Sequence, residues 1–522
     1  PNEALYSARS WLQAAMAGIA FFFFFSLLLL LLPVPALGFT RSDFPQDFVF
    51  GAATSAYQYE GAVAEGGRSP SIWDNFTHSG KMVDGSTGDV AADGYHKYKD
   101  DVKLMADTNL EAYRFSISWS RLIPSGRGAV NPKGLEYYNN VINELVKHGI
   151  QVHVMLYHLD FPQVLDDEYG GWLSPRMVDD FTAFADVCFE EFGDRVSYWT
   201  TIDEPNVAAI SSYDTGQSAP GRCSDPFGFR KCTVGDSTVE PYVAAHNMIL
   251  AHASVTRLYK AKYQAIQKGV IGINVYTFWA YPLTNSTADI EATERCQDFM
   301  FNWILEPLVF GDYPKVMKKI VGSRLPSFTR SQSDALMGAL DFIGINHYYS
   351  LYVNDRPLEK GARDYAGDLS TYMRASKTDP PVGKHAPTSV INDPEGLQFM
   401  LRYLKERYGD IPIYVQETGY ASSNDTVHDT DRAEYLKTYI ASALAAIRDG
   451  ANLKGYFVWA FMDVFEFLSG NQPRYGLYRV DFDDEARPRQ AKLSARWYAG
   501  FLKKNGIHGQ SELNDVGSHA EQ

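Results

Sequence analysis

The stretch TTIDEPN, residues 200–206, sets two carboxylates side by side where a strand-like run ends, with a proline behind them. Asp and Glu are poor strand residues and costly to bury. Either the strand surfaces there and its charges are solvated, or its end opens into a site where acids do work. A second run, PIYVQETG, closes in the same way: Glu417 precedes Thr418 and Gly419. Two carboxylates facing each other across a pocket are the apparatus for cleaving a glycosidic bond. Spacing alone also admits a metal-binding barrel or a structural ion pair.

These acids must be positioned by strands. Eight short apolar runs, rich in β-branched and aromatic residues, recur along the chain: 48–55, 112–118, 151–158, 197–204, 270–276, 341–348, 412–419 and 454–463. Most are continuous rather than alternating, as parallel strands covered on both faces require. Helical patterns separate them. LEYYNNVINELVKHG has apolar residues at helical spacing and stops at Gly149. SPRMVDDFTAFADVCFEEFG offers Ser174 as N-cap and Pro175 at the first helical position, and ends at Gly193. Eight strands alternating with helices predict an α/β fold, a (β/α)8 TIM barrel in one domain, with active-site residues at the C-terminal strand ends. By this count Glu204 ends the fourth strand and Glu417 the seventh. Two long connections, 205–240 and 349–395, are expected to form the rim of the site. A dinucleotide-binding fold would need a Gly-rich turn after the first strand, and GAATSAYQYEG is not one.

Composition narrows the partners. The chain has 522 residues, a net charge of −15 and a pI near 5.3. That balance disfavours nucleic acid, which basic patches bind. FFFFFSLLLLLL followed by PVPALG reads as a secretory signal, with cleavage near Gly38 and no stable membrane insertion after processing. Met16 is a candidate start, with residues 1–15 as upstream read-through. The expected organisation is a signal segment over 1–38, a (β/α)8 barrel domain over 39–505 and a disordered tail over 506–522.

An oxidising route makes the cysteines informative. Cys223 and Cys232 flank a polar stretch and are expected to form a local disulfide, while Cys188 sits in an apolar helical pattern as a buried thiol. Asn75, Asn285 and Asn424 head glycosylation sequons. No C-x-x-C pair occurs, and His153 and His158 have no evident ligand partners, so no metal and no cofactor is expected.

Wording narrows the reading further. FVFGAATSAYQYEGA, SIWDNFTH, YRFSISWSR, HLDFPQ, TTIDEPN, GINHYY, QETGY, VWAFMDVFEF and RYGLYRVDF occur in this order. Together they resemble the plant β-glucosidases of glycoside hydrolase family 1, from about Phe44 to Leu502. The resemblance implies a retaining enzyme acting on β-glucosides. It implies Glu204 as general acid/base and Glu417 as nucleophile. It implies Gln58, His158, Asn346, Tyr348, Trp459 and Glu466 as glucose contacts, and Arg114 as the support of the nucleophile. Arg114 and the Tyr348 hydroxyl should lower the pKa of Glu417, and the surroundings of Glu204 should raise its own.

The chain departs from that pattern around the sugar. Asp203 stands where the family usually has Asn, so a donor is replaced by an acceptor. Gln416 and Thr418 flank the nucleophile in place of the usual Thr and Asn. Leu159 replaces a Trp, Val464 an Asn, and Phe467 a Trp, which removes an indole N–H. These substitutions resemble those of plant vacuolar transglucosidases within the family, which move glucose between acyl-glucose esters and phenolics. Hydrolysis of β-glucosides therefore stands beside transfer to phenolic, alcohol or carboxylate acceptors. Trp279 is a candidate aglycone wall, with barrel packing as the alternative. A sugar-binding relic is the remaining reading, against which the presence of both Glu204 and Glu417 argues. The expected location is the vacuole or the extracellular space and cell wall.

Overall fold

Parallel strands organise the molecule. The computed structural model describes residues 38–381 and 392–503. The expected signal segment up to residue 37 and the expected tail lie outside the described residues. The chain divides into two compact units at Asp43. The first contributes the short turn Arg41–Asp43. The second, from Phe44, holds every strand.

The strands are β1 Val49–Ala53, β2 Ala112–Ser116, β3 Gln151–Tyr157, β4 Tyr198–Ile202, β5 Val270–Pro282, β6 Phe342–Asp355, β7 Thr371–Arg374, β8 Ile413–Thr418 and β9 Leu453–Trp459. They form one nine-stranded sheet in the order β5-β4-β3-β2-β1-β9-β8-β6-β7, and pairing of β5 with β6 closes it into a ring. All ring pairings are parallel; β7 alone is antiparallel, on the outer half of β6. This is the (β/α)8 barrel. The eight ring strands match the eight apolar runs, because strands buried on both faces have no polar face to interrupt the pattern.

Two strands run longer than expected. β5 and β6 continue past the barrel mouth together, paired as far as Pro282 and Val353. The long connection after β4 also begins with a helix, Pro205–Tyr213. Between the strands, helices such as Pro132–Lys147, Arg176–Phe192 and Thr430–Arg448 turn apolar faces onto the barrel.

Aromatic rings fill the barrel floor. Ala112, Phe342, Tyr414 and Phe457 pack together there with Val49, Tyr198 and Val270. The rings need small neighbours: a Cβ on Gly51 would lie 2.6 Å from the Phe457 ring. His153 belongs to this layer, stacked on Tyr198 at 4.2 Å between ring centres. Burial pushes its pKa down to about 3, so it is a neutral packing group.

Candidate active site

A backbone kink brings Asp203 and Glu204 to one site. Neighbouring residues on a regular strand point to opposite faces. β4 ends at Ile202, and Glu204 takes the left-handed conformation, with φ 41° and ψ 54°, before Pro205 starts the next helix. A non-glycine residue held there costs on the order of 1–3 kcal/mol, a strain that clusters at functional positions. Backbone bonds secure the turn: Asp203 N–H donates to Tyr157 O at 2.9 Å and Glu204 N–H to Asn274 O at 3.0 Å. Glu417 arrives from β8, in register with Asn346 of β6.

The two glutamates have different surroundings. Glu417 accepts from Arg114 Nη1 at 2.6 Å and from the Tyr348 hydroxyl at 2.8 Å. Glu204 accepts from Asn346 Nδ2 at 2.7 Å. One carboxyl thus leans on a cation and a phenol, the other on an amide. Burial pushes the pKa of Glu204 well above the usual range, and the charges of Asp203 and Glu417 push the same way. Burial also raises Glu417, with Asp203 adding to the rise. Arg114 and Tyr348 oppose it, as expected from sequence, but they do not win. The expected lowering of Glu417 is therefore corrected to a rise: burial and then the Asp203 charge outweigh Arg114, whose Nη2 also donates to Asp203 Oδ1 at 2.7 Å.

Asp203 collects donors. Besides Arg114, Asn274 Nδ2 reaches its Oδ1 at 2.6 Å, and Asn346 Nδ2 lies 3.4 Å away. Its Oδ2 faces His158 Nε2 at 3.3 Å. Burial pushes the pKa of His158 down to about 4 against the pull of Asp203, so the imidazole is neutral at ordinary pH. His158 was expected to lack ligand partners. The fold supplies two, since His158, Asp203 and Glu417 each offer an atom within 4.8 Å of the others. The Arg114 guanidinium already brings positive charge to both carboxylates of that trio.

Farther along the wall, Glu466 accepts from Trp459 Nε1 at 3.2 Å and from Gln58 Nε2 at 3.3 Å. Gln58 Nε2 also donates to Phe465 O at 2.7 Å, and its Oε1 accepts from Ser55. Trp459 stacks on His158 with ring centres 5.8 Å apart. Phe467 packs on Trp73 at 4.4 Å and lies 5.8 Å from His158. The structure thus gathers Gln58, Arg114, His158, Asp203, Glu204, Asn346, Tyr348, Glu417, Trp459, Glu466 and Phe467 around one wall of contacts.

Other expected positions lie apart. Trp279, the candidate aglycone wall with packing as its alternative, is half-buried, with its ring 5.7 Å from Phe399 and 6.2 Å from Tyr403 of the helix Pro394–Tyr408. Cys223 and Cys232 form the expected disulfide, and Cys188 is a buried free thiol. Asn75, Asn285 and Asn424 are exposed. Asn274 went unnoticed in the sequence. It donates to both Asp203 and Asn346, the latter at 2.7 Å. Its signal was one amide inside the otherwise apolar run VIGINVY.

A closed parallel barrel with unlike buried carboxyls at its C-terminal strand ends defines the class of barrel glycosidases. The comparisons agree. The profile of Glycosyl hydrolase family 1 matches residues 40–507, and the chain belongs to that family. It is 72% identical over 478 residues to Beta-glucosidase 5 of Oryza sativa subsp. japonica, covering 91% of this chain and 93% of the relative. It is 54% identical to a cyanidin 3-O-glucoside 7-O-glucosyltransferase (acyl-glucose) of Delphinium grandiflorum, covering 90% and 92% of the two chains. Among solved structures, a mutant rice β-glucosidase in a covalent complex with glucose superposes with a TM-score of 0.86 at 44% identity, covering 89% of this chain and all of the other.

Proposed function

We propose that this enzyme cleaves β-D-glucosides with retention, through a glucosyl ester on Glu417. The asymmetry of the two carboxyls carries the reading. Glu417, gripped by Arg114 and Tyr348, is oriented as the nucleophile. Glu204 is held protonated by burial and neighbouring negative charge, and can give its proton to the departing aglycone oxygen. Once the ester forms, the Glu417 charge is gone and Glu204 loses its proton more easily. It then serves as the base that activates the acceptor. Gln58, Trp459 and Glu466 hold the remote hydroxyls of the sugar, with the Trp459 ring as an apolar platform.

Transfer of glucose to phenolic, alcohol or carboxylate acceptors is the second reading. It is favoured by Phe467, whose ring meets Trp73, Tyr57 and His158 without a polar hydrogen for the sugar, and by the acyl-glucose chemistry named for the Delphinium relative. A secretory route to the vacuole or cell wall fits the Cys223–Cys232 disulfide and the exposed sequons. Among the described residues no helix is long and apolar enough to cross a membrane.

The test uses Glu204→Gln with a nitrophenyl β-glucoside, whose leaving group needs no acid. A burst of nitrophenol with one hexosyl unit on the peptide containing Glu417 is the expected result. A label on another residue overturns the assignment. Product analysis of the wild type with a phenolic acid or alcohol then separates free glucose from glucose conjugates.

A further inference from the structure

We infer that the protein carries a phosphate-binding site at the end of the barrel away from Glu204 and Glu417, built from Thr256, Arg257 and Arg330. Two helices frame it: Glu240–Lys262, which leads into β5, and Arg330–Leu336, which leads into β6. The last turns of both therefore stand beside the N-terminal strand ends, whereas Glu204 and Glu417 lie at the C-terminal ends of β4 and β8. Between the helices is a hollow of about 560 Å³. Small-molecule sites usually measure about 300–1,000 Å³.

The charges that line the hollow are unbalanced. Elsewhere in this acidic chain arginines meet carboxylates, as Arg222 meets Glu240 and Arg295 meets Asp355. Arg257 and Arg330 both line the hollow and are exposed, and neither has a hydrogen bond or ion pair among the described residues. Lys260 is already engaged, with Asp341 Oδ1 at 2.7 Å and with Gly338 O at 2.9 Å. Asp334 is the one acid of the lining, set against two guanidiniums.

A second observation does not depend on charge. Thr256 lines the same hollow, is 1% exposed, and its Oγ1 has no hydrogen-bond partner among the described residues. A helical threonine can bond back to the carbonyl one turn earlier. Thr182 does so to Val178 O at 2.6 Å, and Thr293 to Asp289 O at 2.8 Å. A buried hydroxyl left unmet is costly, and a ligand oxygen in the hollow meets it. Two guanidinium forks and a hydroxyl are a donor set for an oxyanion. Two cations match a dianion, and a phosphate group brings nearly two negative charges and at least three acceptor oxygens. Met337, 46% exposed, adds apolar surface to the lining. The hollow therefore suits inorganic phosphate or a phosphate carried on a small organic body.

The test titrates the full chain by calorimetry with inorganic phosphate and, separately, with glycerol 3-phosphate. Ionic strength is held constant in a phosphate-free buffer, because salt screens exposed charges. One site that saturates below about 10 mM is expected for at least one of the two ligands. Two variants are compared with the wild type: Arg257→Gln combined with Arg330→Gln, and Thr256→Val, which keeps the shape and removes the hydroxyl. Each should weaken binding about tenfold or more, the scale of a lost hydrogen bond to a charged group. Turnover of a nitrophenyl β-glucoside should be unchanged in both, which shows that they fold. If one variant loses turnover, the other decides. Tighter binding of the ester marks an organic phosphate as the occupant, and equal or tighter binding of the inorganic ion marks free phosphate; both support the site. No saturation by about 10 mM with either ligand overturns the inference, and so does a Kd within about threefold of wild type in a variant that turns over glucoside.

Discussion

Arg114 Nη2 and Asp203 Oδ1 lie 2.7 Å apart, both side chains almost wholly buried. The same guanidinium serves Glu417 through its other terminal nitrogen, at 2.6 Å. One cation therefore neutralises two carboxylates, and Glu417 receives a divided share. Asp203 adds its own charge to both glutamates.

This relationship governs the pH profile. On the proposed mechanism the acid limb of kcat/KM reports ionisation of Glu417, and the basic limb loss of the proton on Glu204. Burial and then Asp203 raise Glu417, and the same two causes raise Glu204. Removing the Asp203 charge lowers both proton affinities, so each limb moves to lower pH. Asp203→Asn should shift the whole bell toward acid, the two limbs titrating as a coupled pair. Initial rates from acid to alkaline pH on one nitrophenyl glucoside check this. A bell that stays in place or moves toward alkali contradicts it.

The proposed function puts Trp459 at the sugar. Its indole N–H is one of two donors to Glu466, and burial raises the proton affinity of that acid. Trp459→Phe keeps an apolar ring but leaves Glu466 one donor short. An unmet buried acceptor costs about 1–3 kcal/mol. The variant should lose roughly 10- to 100-fold in kcat/KM for glucosides, and the same unmet acceptor should also lower its melting temperature. Steady-state kinetics beside a thermal melt separate binding from folding. Unchanged kcat/KM would remove Trp459 from the sugar site.

How far these positions could be read from the chain depends on what each one needs. The ring strands announced themselves because both faces are buried and the apolar runs are unbroken. Glu204 and Glu417 were legible because a carboxylate at the end of such a run has no packing reason to be there. The facing of Trp279 was not legible, because a continuous apolar strand does not say which alternate positions face inward. The amide of Asn274 meets Asp203 inside the barrel, but a break in register between Thr277 and Trp279 interrupts the alternation before Trp279, whose ring packs on Phe399. The sharing of Arg114 was not legible at all. It depends on three strand ends distant in sequence converging on one guanidinium.

The Cys223–Cys232 bridge spans nine positions of a long connection and encloses chain without regular structure. Closing so short a loop stabilises by about 2–3 kcal/mol on the chain-entropy model. Substituting Ser for both cysteines should lower the thermal midpoint and make residues 222–235 the first proteolytic cut, while kcat on a small nitrophenyl glucoside stays close to wild type. Limited proteolysis with mass analysis and a parallel assay test this together. A cut elsewhere, with the midpoint unmoved, would show that other contacts hold the loop.

Acceptor choice should depend on Tyr276. Its backbone is tied to the helix that follows Glu204, since Asn206 Nδ2 donates to Tyr276 O at 2.9 Å and Tyr276 N–H to Asn206 Oδ1 at 3.2 Å. Its ring is only partly covered, and lies 6.4 Å from Tyr348 and 6.3 Å from Tyr349. Burial raises the pKa of its hydroxyl, Tyr349 raises it further, and the charge of Glu204 adds to the rise. If Glu204 exchanges protons with the leaving and entering oxygens, the group beside it on the far side from the sugar meets the aglycone. An aromatic acceptor gains stacking area there, and water gains nothing from it. Tyr276→Ala should therefore leave release of nitrophenol within about threefold of wild type, yet cut the ratio of glucose conjugate to free glucose by about tenfold with a phenolic acceptor, the worth of one lost aromatic contact. Chromatographic quantification of both products at a fixed acceptor concentration measures the ratio. Equal ratios in the two proteins would place the acceptor on a different wall of the mouth.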